Sequence, residues 1–456
     1  MSDKNDKTLS KGDKDLTNKE KSIENVIISD TKDNKRPTSR SKSNNRFIDE
    51  KNNTKMNSGK QISMLDNQME QKKKTVSKNK KSNYISEGDL LEYRLKRLIF
   101  FMGYYPQVGV IIKSSTNEQA DTITDLDVYG TYIHKNFASK TIWADCKSGR
   151  ARPLERISWI NGVKDIVGIE DVIFVKKGVR MATKQFARKS RIQILDLEVI
   201  NKLERDYKIN TTDWRGSWNP RTQLNQLIKF QNIDVPTKDR FKKIGNFISC
   251  SYWTVDDYLK VKRTLTALNQ LSEVMQYPLQ QQQMESVHWA IYKLVNLFVL
   301  ATLNICRDLY YYSDRDKEET ILQGLISGEI SMKKRAEIVD ATYKVAYGII
   351  LQHVPNFEGT LKVPNIGGSP PKYFEAFNNL ILRITNNPLD YFDILRFLDF
   401  ILMEYDLQSK DINEEHAKAM FPNYEDLVTS AKTILYFICS ITNIRKNVFQ
   451  LIRGYK

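Results

Sequence analysis

Cysteine is scarce in this chain of 456 residues: Cys146, Cys250, Cys306 and Cys439 stand far apart, with no C-x-x-C pair and no regular spacing. That excludes a disulfide framework and a zinc site, and it suits a reducing, intracellular compartment: cytoplasm or nucleoid, or nucleus in a eukaryote. Histidine is equally sparse. His134, His288, His353 and His416 are scattered, so spacing supports no histidine-based metal site. The first 20 residues are polar and lack the apolar core of a secretory signal. Long apolar runs are missing as well. The most apolar stretch, residues 289–306, carries Lys293, Asn296 and Asn304. It falls short of the ~20 apolar residues that span a bilayer, so a buried helix is expected there and no membrane partner.

What the chain has in excess is positive charge. It holds 71 Lys and Arg against 55 Asp and Glu, a net +16 with a pI near 9.3. Such a balance favours polyanionic partners and says nothing about fold. Much of it sits in residues 1–83, which are dominated by Lys, Asn, Ser, Asp and Thr and contain Phe47 as their single aromatic. A segment of this kind buries too little apolar surface to offset its ordering entropy, so a disordered basic tail is expected. Residues 1–84 hold 21 Lys and Arg against 12 Asp and Glu. The lysines from Lys72 to Lys81 suit non-specific phosphate contact or a nuclear-import signal, but a solvated tail is the plainer account.

From residue 84 onward the pattern changes. Leu91, Leu95, Leu98 and Met102 recur at helical spacing over 88–102, and Gly103 ends the helix. Strands are expected at 104–114, 123–133 and 141–147. A helix interrupted by Gly162 follows over 149–167. Then come a strand at 171–176, a helix at 183–189, a strand at 191–195 and a closing helix at 197–203. The order α-β-β-β-α-β-α-β-α describes a mixed α/β domain over 84–210. Residues 211–245, with Trp214, Gly216, Trp218, Pro220 and Pro236, are expected to be a connector. Residues 246–456 are all-α by pattern, with helices around 286–312, 318–326, 331–352, 371–386, 390–406 and 424–452. A loop at 364–371 divides that set and lacks the following Gly-Lys-Ser/Thr of a phosphate loop.

Chemistry concentrates in two segments, Ile123-Thr124-Asp125-Leu126-Asp127-Val128 and Trp143-Ala144-Asp145-Cys146-Lys147. Alternate strand residues share a face, so Asp145 and Lys147 point one way and Cys146 the other. If the strands are neighbours, two or three carboxylates and one ammonium meet at one end of a sheet. That set suits phosphodiester hydrolysis. Mg²⁺ prefers hard oxygens and needs only one or two carboxylates, so Asp127 and Asp145 can hold it, with the Cys146 carbonyl as a third oxygen. Lys147 can orient the attacking water or stabilise the charge that develops on phosphorus. Glu92, on the preceding helix, is placed to assist, with Glu87 as its competitor. The D-x-K tripeptide by itself is weak, since it recurs at Asp33-Asn34-Lys35 and Asp206-Tyr207-Lys208. The β-rich context carries the inference.

These residues resemble the PD-(D/E)xK nuclease superfamily, and within it the Mrr-like restriction endonucleases. The resemblance rests on Glu92 ahead of Gly103-Tyr104, then Asp127, then Asp145-Cys146-Lys147. It continues through the strand at 172–176, then Thr183, Phe186 and Ala187 on a helix, the strand at 192–195, Asp196 and the helix to Leu203. It implies a restriction-endonuclease-like core, dependence on Mg²⁺ (with Mn²⁺ as a substitute), a DNA substrate and a role in restriction or defence. Cys146 stands where an apolar residue is usual, Asp145 where Glu or Gln is commoner, no proline precedes Asp127, and Thr131 to Lys140 lengthen the hairpin. None of these departures removes a catalytic group.

Two basic clusters flank the motif. Arg150, Arg152 and Arg156 follow it directly. Lys184, Arg188 and Lys189 lie near the last strands with Arg191. Both are candidates for phosphate contact; for the first a solvated helix face is an equal account, whereas for the second DNA contact is the favoured one. Trp289 and Tyr310-Tyr311-Tyr312 are expected in the helical core rather than stacked on bases. Two other functions fit the same residues: a DNA-binding protein that keeps the fold without cutting, and a scaffold whose helical domain binds a protein partner or a second copy of the chain.

Overall fold

The computed structural model describes residues 85–115, 120–146, 152–233, 238–327, 332–354, 357 and 369–453. The expected tail over 1–83, the site residues Lys147 and Arg150, and positions 364–368 of the interhelical loop lie outside them.

Helix α1 (Glu87–Phe101) starts at a reciprocal cap. The Asp89 amide donates to Ser86 Oγ at 3.0 Å, and the Ser86 amide donates to Asp89 Oδ2 at 3.3 Å. The helix stops where Gly103 adopts φ +98°, a conformation glycine takes without steric cost. The chain then enters a five-stranded sheet of β1 (Tyr105–Lys113), β2 (Thr122–Ile133), β3 (Ser139–Cys146), β4 (Asp171–Val175) and β5 (Ile192–Leu195), in that spatial order. β1, β2 and β3 are antiparallel, whereas β3, β4 and β5 run parallel. Each parallel step needs a crossover, and helices α2 (Pro153–Val167) and α3 (Met181–Lys189) supply them. α4 (Leu197–Asp206) follows β5. The expected element order is therefore present. α2 differs in that it begins at Pro153 and runs unbroken through Gly162. Burial of Ile157, Ile160 and Val163 outweighs the ~1 kcal/mol helix penalty of one glycine.

The strands alternate between two cores. Trp143, Val172, Phe174, Ile192 and Ile194 face α2 and α3, packing on Ile157, Ile160, Val163 and Ala187. Val128, Ala144, Cys146, Ile173 and Val175 face α1 and α4, packing on Leu95, Leu98, Ile99 and Ile200. The first ribbon turns over partway along. Val108 and Val128 belong to the α1 side, but the next paired residues, Val110 and Leu126, belong to the α2 side. Gly109, at φ +68°, lies between them opposite Asp127.

The segment 211–245, expected to be a connector, is folded. A 3-10 turn at Gly216–Trp218 leads into α5 (Pro220–Gln231), and α6 (Lys238–Ser249) follows. Pro220 occupies the first helical turn, where its missing N–H costs nothing, and Asn219 caps it by accepting from the Thr222 amide at 3.2 Å. Beyond lie α7 (Asp257–Val274), α8 (Gln281–Leu309), α9 (Asp314–Ser327), α10 (Met332–His353), α11 (Phe374–Asn386) and α12 (Ile394–Ile401). A π-turn at Leu402–Asp406, α13 (Glu414–Met420) and α14 (Tyr424–Thr442) complete the set. α8 contains the apolar stretch singled out above. It is long and apolar enough to cross a membrane, but its apolar window is 94% buried inside the protein, as befits a core helix. Phe100, Tyr105 and Phe137 from the sheet region join the same core as α8, and Ser82–Lys456 is one compact unit.

One buried ion pair ties these parts together. Arg97 on α1 donates to Glu204 on α4 at 3.0 Å, and Arg94 donates to the same carboxylate at 2.9 Å. Arg97 also donates to the carbonyls of Asn210, Thr211 and Asp213 at 3.3, 3.1 and 3.1 Å, and it lies 4.4 Å above the ring of Trp214. Burial alone would raise the Glu204 carboxyl, but hydrogen bonds and charge from Arg94 and Arg97 outweigh it and hold the group below its ordinary value. Arg97→Met and Glu204→Gln each strand a buried partner, so each should lower the unfolding free energy at pH 7 by ~3–5 kcal/mol in urea titrations. A carboxyl depressed on folding contributes stability that is present above its unfolded pKa and lost as pH falls through the folded one. The gap between wild type and Glu204→Gln should accordingly narrow below about pH 4.

Candidate active site

The ladder between β2 and β3 ends at Val128↔Ala144, so Asp127 and Asp145 are the next residues along the two neighbouring strands. Asp145 falls on the α2 side, because its neighbours Ala144 and Cys146 occupy the α1 side, while Asp127 stands at the turn-over between Leu126 and Val128. Asp127 Oδ2 accepts from the Cys146 amide at 2.6 Å, which fixes this carboxylate against the last residue of β3. The pair lies where β2 bends at the Gly109 position. A β-carbon at Gly109 would meet no neighbour, so its positive φ, not crowding, is what calls for glycine.

Asp145 is 0% exposed, and its charge is balanced locally. Arg156, one turn into α2, donates from Nε to Asp145 Oδ2 at 3.0 Å and from Nη2 to Oδ1. Its guanidinium also stacks on Trp159, with Cζ 3.7 Å from the ring centroid. Trp159 in turn meets Trp143 edge to face at 5.9 Å. The fork geometry of arginine matches a carboxylate, and the aromatic face adds cation–π attraction on the other side.

The remaining sequence candidates divide. Glu92 is half-buried on α1, the helix that packs against the opposite face of the sheet, and after burial its charge is the next influence raising the Tyr93 hydroxyl pKa. Arg152 is exposed and pairs with Glu155 at 2.9 Å. Lys184 pairs with Asp196 at 3.2 Å, while Arg188 and Lys189 are exposed on the same helix. Asp125 is exposed on β2. Trp289 is buried and donates to Gln223 at 2.8 Å, whereas Tyr311 is exposed. Two participants were not foreseen. Trp159 follows Arg156 at i+3, a helical-neighbour spacing that was the available signal. The pairing of Arg156 with Asp145 had none, because it joins a strand end to a helix across a loop.

Among the described residues no group of three or more His, Cys, Asp or Glu is disposed to hold a metal ion. Asp127 and Asp145 are two hard oxygen donors on adjacent strands. That donor set fits Mg²⁺, which commonly takes one or two carboxylates and completes its shell with water and substrate phosphate. It does not fit a dedicated all-protein cage or a zinc site. Comparison of the chain with family models, with curated proteins and with solved structures finds no match.

Arg156→Gln would leave a buried carboxylate without its cation. It should lower stability at neutral pH by ~3 kcal/mol in urea titrations. If a divalent ion can take the place of the guanidinium, Mg²⁺ or Mn²⁺ should raise the melting temperature of Arg156→Gln more than that of wild type. Equal, metal-independent melting of the two proteins would argue against a cation site at Asp145.

Proposed function

We propose that residues 84–210 form a restriction-endonuclease-like core and that the protein is a Mg²⁺-dependent endonuclease acting on DNA. The observation that carries this reading is the Asp127 carboxylate fixed beside the end of the neighbouring strand β3, where Asp145 lies two positions ahead of Lys147 in sequence. The mixed sheet, antiparallel at β1–β2–β3 and parallel at β3–β4–β5, with helices on both faces, supports it. When bound, a divalent ion supplies Lewis-acid polarisation of the phosphate and a more acidic water. Asp127 and Asp145 would hold its positive charge. Lys147 then stabilises the negative charge that develops on the phosphoryl oxygens, or orients the attacking water. Arg156 is already beside Asp145, so once released from that carboxylate its guanidinium is available to a flanking phosphate. The exposed Arg188 and Lys189 suit backbone contacts further out.

A second reading draws on the same ion pair. A wholly buried Asp145 held by both nitrogens of an arginine fork also suits a nuclease-like domain that binds DNA without cutting it. The two separate in one experiment. The endonuclease reading expects nicking of plasmid DNA with Mg²⁺ or Mn²⁺ and none with EDTA. Asp145→Asn and Lys147→Ala should each cut the rate by at least ~10²-fold while DNA affinity stays within a few-fold of wild type. Uncut DNA with either metal, together with equal binding by wild type and Asp145→Asn, would establish the non-catalytic binder. An RNA substrate run in parallel tests the choice of nucleic acid.

A further inference from the structure

A cleft with basic and polar walls lies away from the paired aspartates. It encloses about 680 Å³ between the outer end of β1, helix α6 and helix α7. Its walls carry Lys113, Lys243 and Arg263 together with Asn246, Thr254 and Thr266, and no aspartate or glutamate is among its lining residues. Helix α6 also carries Lys242 beside Lys243, while its Arg240 is paired with Glu273 on α7 at 3.1 Å. Lys242, Lys243, Asn246 and Thr266 are exposed. Cations of one sign gathered in a concave wall reinforce one another's potential and concentrate anions there. The hydroxyl and amide groups between them are the usual neutral partners of phosphate oxygens.

Position gives the cleft its relevance. Lys113 pairs with Thr122, the first residue of β2. β2 and β3 are antiparallel, so this is the end at which β3 finishes with Asp145 and Cys146. Asp127 lies five residue steps along β2 from Thr122, a span of roughly 16 Å. That equals the axial rise of about five base-pair steps of a duplex at ~3.4 Å each.

We propose that this cleft binds the phosphodiester backbone of a nucleic acid, several phosphates away from the carboxylate pair. The helical region is thereby part of the substrate track. Only the identity of the polyanion rests on the nuclease reading; the preference for a polyanion comes from the cleft itself.

The test is fluorescence anisotropy of the full-length chain with a labelled DNA duplex, and with one of its single strands, in EDTA so that no cutting intervenes. Lys243→Glu and Thr266→Glu place a carboxylate on each of the facing helices at exposed positions, and Arg263→Gln removes a charge without reversing it. Lys344→Glu on α10 is the control. Lys243→Glu and Thr266→Glu should weaken binding about tenfold in whichever arm binds, and Lys243→Glu should also flatten log K against log salt by ~0.9 for a duplex or ~0.7 for a single strand. Lys344→Glu should change neither, and all four should melt near wild type. Wild-type affinity and salt slope in both carboxylate variants, or no binding of either nucleic acid at low salt, would overturn the proposal. Loss of binding in Lys243→Glu by a protein that never cuts would keep the cleft and remove the nuclease.

Discussion

The Arg97–Glu204 pair is the constraint on which the rest of the architecture hangs. Taking both charges out of water is expensive, and it is tolerable here because Glu204 receives two arginines and Arg97 also satisfies three backbone carbonyls. One guanidinium thereby joins the first helix of the sheet region to its last helix and to the chain leaving it. With α1 held in place, Leu95, Leu98 and Ile99 must seat on Val128 and Ala144. Because strand side chains alternate, that seating commits Asp145 to the opposite face, toward α2. The site's geometry follows from a contact on the other side of the sheet.

The paired aspartates present a charge problem, and part of its solution is visible. Two carboxylates on adjacent strands repel one another unless cations intervene. Arg156 supplies one cation to Asp145, and the Cys146 amide donates to Asp127. Stacking on Trp159 holds the guanidinium at the strand end instead of letting it extend into solvent. The same arrangement gives the buried Asp145 a paired resting state.

The helical region is not a tethered appendage. Its core helix α8 packs against Phe100, Tyr105 and Phe137, and Lys293 from that helix donates to Gln107 on β1 at 3.4 Å. Lys96 and Lys293 are both buried near Asp399 at this junction, and burial lowers the pKa of each. The folded segment over 211–245 adds a further seam, where Trp218 stacks on Phe400 at 5.9 Å and Gly216 donates to Glu404 at 2.8 Å. A cleft shared by β1, α6 and α7 is a consequence of this intimate packing. Two independently moving domains would not hold such a surface in place.

Local pattern alone determined a good deal. The helical spacing of Leu91, Leu95 and Leu98 marked α1, β-branched runs marked the five strands, and alternation at Asp145-Cys146 assigned opposite faces to neighbouring residues. These properties depend on backbone periodicity, which a few consecutive residues carry. Local pattern failed where a residue's meaning depends on its partner. Pro220 looked like a breaker and instead opens a helix, because Asn219 caps it and Trp218 and Phe230 are buried alongside. Arg156 looked like a surface cation but closes on Asp145, and Lys113, Lys243 and Arg263 meet although up to 150 positions separate them. Those outcomes were decided by tertiary structure, because charge pairing and clefts depend on distance in space, and no short stretch of sequence encodes that distance.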